Sequence, residues 1–367
     1  MNASQVVVGW TFRLLTALLL VVAVSGAGAE PYLAVDQGQK CIACHVNPTG
    51  GGLRNAYGVH FARSGLAAYR LPDSVPGWDG SVGDWLRLGG DVRWSSTRTD
   101  VPQQARQRSA GTDQLRVYAD LSLLGERVQL SVDEQLSPGK ASTQEAYVRL
   151  NGEARLWHLK GGQFYLPFGW RLQDSTAFVR AISGISMATP ERGAELGVEL
   201  GDWSAQLALT RPLHPLPGSS DRQTTAQLVW VQGWGRIGAS AASARSAAGK
   251  RQAWALYGGL RTGPVAWLGE VDLVRDSGYP EGRRNLLAAL GELNWKLTQG
   301  HNLKLTAEYF DPDRRVREDH KVRRSLVYEF TPLPAIQLRM GVRQHRGIPQ
   351  SLPDNRRSGF VEVHGFI

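Results

Sequence analysis

Cysteine and methionine are scarce in this 367-residue chain, with two and three copies respectively. Both cysteines fall within four positions, Cys41 and Cys44, so no spare thiol remains for a second attachment site. Long apolar runs are also missing. Beyond the first thirty residues no segment reaches eighteen consecutive apolar positions, which excludes a membrane-spanning helix there. The one early run, Leu14 to Val24, is interrupted only by Thr16 and is too short to cross a bilayer. Arg13 precedes it and Ala27-Gly28-Ala29 follows it, the order of a secretory leader with a small-residue cleavage site. Residues 1–29 are therefore expected to be removed on export, leaving Glu30 as the N-terminus.

Just behind that leader stands Cys41-Ile42-Ala43-Cys44-His45. C-x-x-C-H is the attachment pattern of a c-type haem: the two thiols bond the porphyrin vinyl groups and the adjacent histidine takes one axial position on iron. A plain disulfide between Cys41 and Cys44 is the alternative. Attachment of c-type haem occurs outside the cytoplasm, which agrees with export. The reading predicts one covalently bound haem c in a monohaem module spanning 30–80.

From residue 81 to 367 the chain changes character and alternates apolar with polar side chains over short runs. Leu303, Leu305, Ala307 and Tyr309 alternate with Lys304, Thr306 and Glu308; Ile336, Leu338, Met340 and Val342 alternate with Gln337, Arg339 and Arg343. Period two puts the sets on opposite faces of a strand. A soluble sandwich and a membrane barrel share that pattern, one with the apolar face inside and the other with it outside. The connections separate them. Sixteen candidate strands lie near 84–95, 114–123, 126–135, 144–150, 155–163, 193–200, 203–210, 223–231, 235–242, 253–260, 265–274, 285–297, 302–310, 322–330, 335–343 and 358–367. On those bounds long links (96–113, 136–143, 164–192, 211–222, 243–252, 275–284, 311–321, 344–357) alternate with tight ones such as Gly201-Asp202 and Gln232-Gly233-Trp234. That parity is expected of an outer-membrane barrel, with tight turns in the periplasm and long loops outside. The expected fold is all-β: a transmembrane barrel of fourteen to eighteen antiparallel strands, sixteen the best count. Its N- and C-termini are expected on the periplasmic side. The small haem module, too short for a free-standing core, is expected to plug the lumen.

Around the haem motif, Pro48, Leu53 and Asn55, and then Gly58-Val59-His60-Phe61, fall at places similar to those in the fused monohaem cytochrome c–porin proteins of outer-membrane iron oxidation, which this chain resembles. The motif match covers about twenty residues, and the order of parts covers the whole exported chain. Arg54 separates Leu53 from Asn55, and Gly50-Gly51-Gly52 is an insertion relative to that pattern. The stretch Gly162 to Gly169 also looks like one found in general porins. The resemblance implies an electron carrier, a ferrous-iron:cytochrome oxidoreductase, with extracellular ferrous iron as donor. A single haem needs an acceptor to approach from below, and a soluble periplasmic cytochrome is the natural one. The alternative is an anion-permeable porin in which the haem module is a structural plug.

For the second iron ligand, His60 is the first candidate because it lies inside the module, fifteen residues after His45. His158, His345 and His364 are expected to face the lumen. Met187 sits in the long link 164–192 and reaches the haem only if that loop folds inward, while Met340 belongs to the lipid-facing set. The formal charge is +9, with the lumen-facing charges balanced and the basic excess in the long loops. A basic outer rim suits the phosphates of lipopolysaccharide, and outer-membrane lipid is the other expected partner. Nucleic acid is not a partner for an exported barrel.

Overall fold

The computed structural model describes residues 30–71, 78–213 and 221–366. The leader, and the two segments 72–77 and 214–220, lie outside the described residues. Sixteen strands form the wall. They are β1 Leu86–Asp100, β2 Gln107–Leu123, β3 Val128–Ser137, β4 Ser142–Asn151, β5 Trp157–Phe164, β6 Glu191–Leu200, β7 Trp203–Pro212 and β8 Arg222–Gln232. The second half is β9 Gly235–Ser246, β10 Gly249–Thr262, β11 Val265–Asp276, β12 Arg284–Thr298, β13 His301–Asp311, β14 Lys321–Leu333, β15 Ile336–Arg346 and β16 Arg357–Phe366. Each pairs antiparallel with its sequence neighbours, and β16 closes onto β1 with Val363 opposite Trp94 and His364 opposite Arg93. The result is a closed barrel. A two-residue strand, Ser81–Val82, pairs with the start of β1.

The alternation resolves in favour of an inside-out protein. Along β11, Trp267, Val271 and Leu273 are exposed while Glu270 and Asp272 are buried. Along β13, Leu305 is exposed while Asn302, Lys304 and Glu308 are buried. Apolar side chains point outward around the wall, Leu159, Leu207, Leu256, Trp254, Met340 and Val361 among them. A continuous apolar exterior of that kind is stable only against lipid, so the barrel is membrane-spanning. No helix among the described residues is long and apolar enough to cross a membrane.

All sixteen expected strands are present, but several extend further than the alternation indicated. The link expected at 243–252 is a correction: β9 and β10 stay paired to Ser246 opposite Gly249, leaving a two-residue turn. The link expected at 96–113 shrinks likewise to 101–106. Strand ends made mostly of small and polar residues carry little hydrophobic alternation, so cross-strand hydrogen bonding prolongs them where the side-chain pattern has faded.

Two segments fill the lumen. One is the chain from Glu30 to Leu71. It opens with α1 (Pro31–Gln37), with Pro31 in its first turn and Gly38 in the left-handed region at its end. Tyr32 and Val35 are buried from that helix, and Tyr32 Oη donates to Glu329 of β14 at 3.3 Å. The second is the loop 165–190 after β5. It folds inward, carries α3 (Phe178–Ser183), and buries Tyr165, Leu166, Phe168, Trp170 and Leu172. Its backbone bonds to wall side chains around the lumen: Tyr165 N to Glu145, Gly169 N to Ser240, Trp170 N to Glu270 and Phe178 N to Glu308. α2 (Ala56–Phe61), from the N-terminal segment, runs on into a π turn at Ala62–Leu66.

Candidate functional site

Cys41–Ala43 forms one 3₁₀ turn, with Cys44 N and His45 N both donating to the Cys41 carbonyl. Asn55 clasps this turn to α2. Its carboxamide oxygen accepts from Gly58 N at 2.9 Å as the helix N-cap, and its Nδ2 donates to the Ile42 and Ala43 carbonyls at 3.1 Å. Gly58 is the contact residue on α2: a Cβ there would overlap the Cys44 carbonyl. Between the motif and α2 the chain doubles back, with His45 bridged to Arg54, through Gly50, Gly51 and Gly52 at φ of +86°, +81° and +61°. Only glycine takes three such angles in a row at low cost. The triple glycine is therefore a sharp return.

The two thiols are not bonded to each other. Cys41, Cys44 and His45 together line one cavity with about 1020 Å³ of empty space, part of it open to solvent. Its apolar walls come from the N-terminal segment (Leu33, Ala34, Pro48, Phe61, Leu66), from the inward loop (Trp170) and from β8 (Val229). His45 is buried and its Nδ1 has no hydrogen-bond partner. Burial, with the Arg54 guanidinium alongside, pushes its pKa down to about 3, which keeps the imidazole neutral, the form that ligates a metal. Burial raises the Cys44 thiol. A large, mainly apolar cavity with two free thiols and a buried neutral imidazole on one wall fits a covalently attached haem. When bound, the group supplies one-electron chemistry at iron.

Wall and plug are stitched together by charge. Asn47 Nδ2 donates to Glu145 at 2.9 Å and its Oδ1 accepts from Lys160 at 3.3 Å. Lys40 pairs with Glu199 at 2.8 Å, Lys304 with Glu30 at 2.9 Å, and Arg149 donates to the Val46 carbonyl. At the tight-turn end, Gln299 donates to the Ala67 carbonyl at 2.7 Å and Ala68 N to that of Thr331 at 2.8 Å. The haem motif is thus set between this end and the inward loop, whose Arg171 bonds Thr49 of the plug.

The other candidate residues are not brought to the cavity. His60 is exposed on α2, on the side away from buried Gly58 and Val59, and does not line the cavity. His158 and His364 face the lumen as expected but are held by Glu195 at 3.1 Å and Asp91 at 2.7 Å. His345 packs against Phe178. Met340 faces lipid. The loop bearing Met187 does fold inward, and its Cε lies against Gly51, yet Met187 lines the neighbouring cavity beyond the glycines. Sequence reasoning missed Arg236, Trp170 and Tyr257, which line the haem-motif cavity from the wall and loop. Nothing in their local sequence marks them.

No family model and no curated protein matches the sequence. Solved structures do. The anion-selective porin from Comamonas acidovorans superposes with a TM-score of 0.63 at 11% identity, covering 77% of this chain and 99% of its own. In-vitro folded OmpT, an outer membrane protein of Vibrio cholerae, gives 0.61 at 9% identity, with 78% and 99% covered. Salmonella typhi OmpF in complex with daunomycin gives 0.61 at 7% identity, with 77% and 97% covered. At such identities the likeness is one of fold: this chain forms a porin-like outer-membrane barrel.

Proposed function

We propose that this porin-like barrel carries a single c-type haem in its lumen, attached to Cys41 and Cys44 with His45 on iron, and passes electrons from an extracellular donor to a periplasmic acceptor. The observation that carries the reading is the juxtaposition of both thiols and the His45 imidazole on one wall of a large, mainly apolar cavity inside the barrel. The wall isolates that cavity from lipid over an apolar band about 25 Å tall. Haem accepts and releases one electron at a time, so a donor at the long-loop end and an acceptor at the tight-turn end are both required. The resemblance to cytochrome–porin fusions points to ferrous iron outside and a soluble cytochrome in the periplasm. In this arrangement the long loops face outward, and Glu30 and the C-terminus lie on the periplasmic side.

A second reading has its own observation. Beside the plug lies a polar cavity with about 1530 Å³ of empty space, part of it open to solvent, lined by Arg93, Lys304, Arg323, Arg339 and Arg343 and by carboxylates that include Glu30, Asp174, Glu292, Glu308 and Glu362. A polar wall of mixed charge suits the passage of small hydrated solutes. The comparisons favour this reading, since one of the similar structures is an anion-selective porin. Here the haem module is a structural plug.

The deciding experiment adds ferrous iron to purified full-length protein in detergent and follows the haem absorption bands, with conductance measured in planar bilayers. Rapid haem reduction with little conductance supports electron transfer. Anion-selective conductance with a haem inert to ferrous iron supports the porin.

A further inference from the structure

If His45 takes one axial position on iron, the other needs a ligand, and in electron carriers this is commonly a histidine or methionine. Among the described residues no second histidine and no methionine lines the cavity. His60 is outside it, His158 and His364 are held by carboxylates, and Met187 stands on the far side of Gly51.

What does line the cavity is an uncompensated cation. Arg236, at the start of β9, is 9% exposed, and its guanidinium lies 5.1 Å from the Trp170 ring centroid. Its Nε has no hydrogen-bond partner, and Nη1 reaches only the Cys41 sulfur at 3.9 Å. No carboxylate among the described residues forms an ion pair with it. Across the same wall Gln206 is 5% exposed with its Oε1 unpartnered. Of the other cavity-lining cations, Lys40 is paired with Glu199 and Arg171 donates to Thr49, while buried Arg54, beside His45, lies 5.4 Å from the Phe366 ring centroid and also forms no ion pair among the described residues. Leaving a guanidinium buried without an anion is costly, so the cavity is built to receive one beside the haem motif.

We infer that the sixth iron position is left to an exchangeable small anion or water, that the Arg236 guanidinium is the group that holds it, and that Gln206 Oε1 accepts from the water when water is bound. This rests on the reading of a c-type haem at Cys41, Cys44 and His45. A donor beside an open iron position governs which small ligands a haem binds, and a guanidinium selects anions. The haem's own carboxylates are the other anionic source for Arg236, and the two sources are separable.

The test uses ferric full-length holoprotein in detergent, titrated with azide and with fluoride while the absorption spectrum is recorded. The expected result is a high-spin spectrum that changes saturably with both anions. Arg236→Leu weakens azide binding about tenfold or more, as for loss of a charge-assisted hydrogen bond. Arg236→Lys, which keeps the charge, falls between, and it serves with Gln206→Leu if Arg236→Leu fails to fold. A low-spin spectrum indifferent to both anions, in protein with full haem content, overturns the inference and leaves the haem reading standing. Azide affinity unchanged by Arg236→Leu also overturns it and gives the arginine to the haem carboxylates. Protein whose mass shows no haem adduct overturns both readings.

Discussion

Asn47 Nδ2 donates to the Glu145 carboxylate at 2.9 Å, and both residues are buried, one on the plug and one on β4. Lys160 completes the group by donating to Asn47 Oδ1 and pairing with Glu195 at 2.7 Å. Buried charges of this sort add little net stability, since desolvation offsets attraction, but breaking one leaves its partners uncompensated. They therefore set where the plug sits. Asn47→Leu should cost about 1–3 kcal/mol, the penalty for leaving buried charged groups short of a hydrogen bond. The expected outcome is faster proteolysis within residues 30–71 of the folded barrel, with raised single-channel conductance. Wild-type conductance would mean the plug is held elsewhere.

Gly58 and Asn55 together hold the haem motif to α2. Gly58→Ala would drive a methyl group into the Cys44 carbonyl, whereas Asn55→Ala removes a cap worth about 1 kcal/mol and both bonds to the 3₁₀ turn. Both variants should lower covalent haem content when expressed with attachment machinery, Gly58→Ala more severely. Barrel folding, read from heat-dependent gel migration, should be unaffected, because no wall strand depends on either residue.

One C-x-x-C-H and no other cysteine predict a single haem adduct on a mature chain beginning at Glu30. Intact-mass spectrometry measures both. Cys41→Ser with Cys44→Ser should abolish the adduct. Since His60 is exposed outside the cavity, His60→Ala should leave the haem spectrum as it was. A changed spin state in that variant would restore it as an iron ligand.

Asp174 ties the inward loop to the wall through Arg323 at 3.0 Å and Arg343 at 3.2 Å. Burial alone would raise its pKa, but the two guanidinium groups hold it down at about 2. A carboxyl depressed from its unfolded value near 3.9 contributes stability that is complete above that value and is lost as pH falls through about 2. The loop should therefore loosen between roughly pH 4 and pH 2, seen as growing current fluctuations in a planar bilayer. Asp174→Asn should show the same fluctuations at pH 7.

The proposed orientation, with the longer links outside, can be tested by labelling. A tag inserted near Pro349, in the link between β15 and β16, should be labelled on intact cells. One at Gly201, in the tight turn between β6 and β7, should be silent until the outer membrane is opened. Long loops accept added chain at small entropic cost, whereas the tight-turn end is closed. Labelling at Gly201 on intact cells would turn the barrel over and put the haem motif near the outer face.

The strands were legible because their signal is local. Period-two alternation such as Leu303 to Tyr309 needs only a few residues to declare a strand, and the link lengths then distinguish lipid-facing from core-facing apolar sides. The same locality made Cys41, Cys44 and His45 readable as a haem motif. Where alternation fades, as between Ala242 and Gln252, the strand ends went unseen, and only pairing of β9 with β10 extends them to a two-residue turn. The surroundings of the motif belong to the tertiary structure. Arg236 stands 195 positions from Cys41 yet beside its sulfur, and Trp170 arrives on a loop that crosses the lumen. His60, close to the motif in sequence, is turned away because Gly58 and Val59 occupy the buried side of α2. Which residues face one another across a barrel depends on closure and on the inward fold of one loop, and both arise from contacts between residues far apart in the chain.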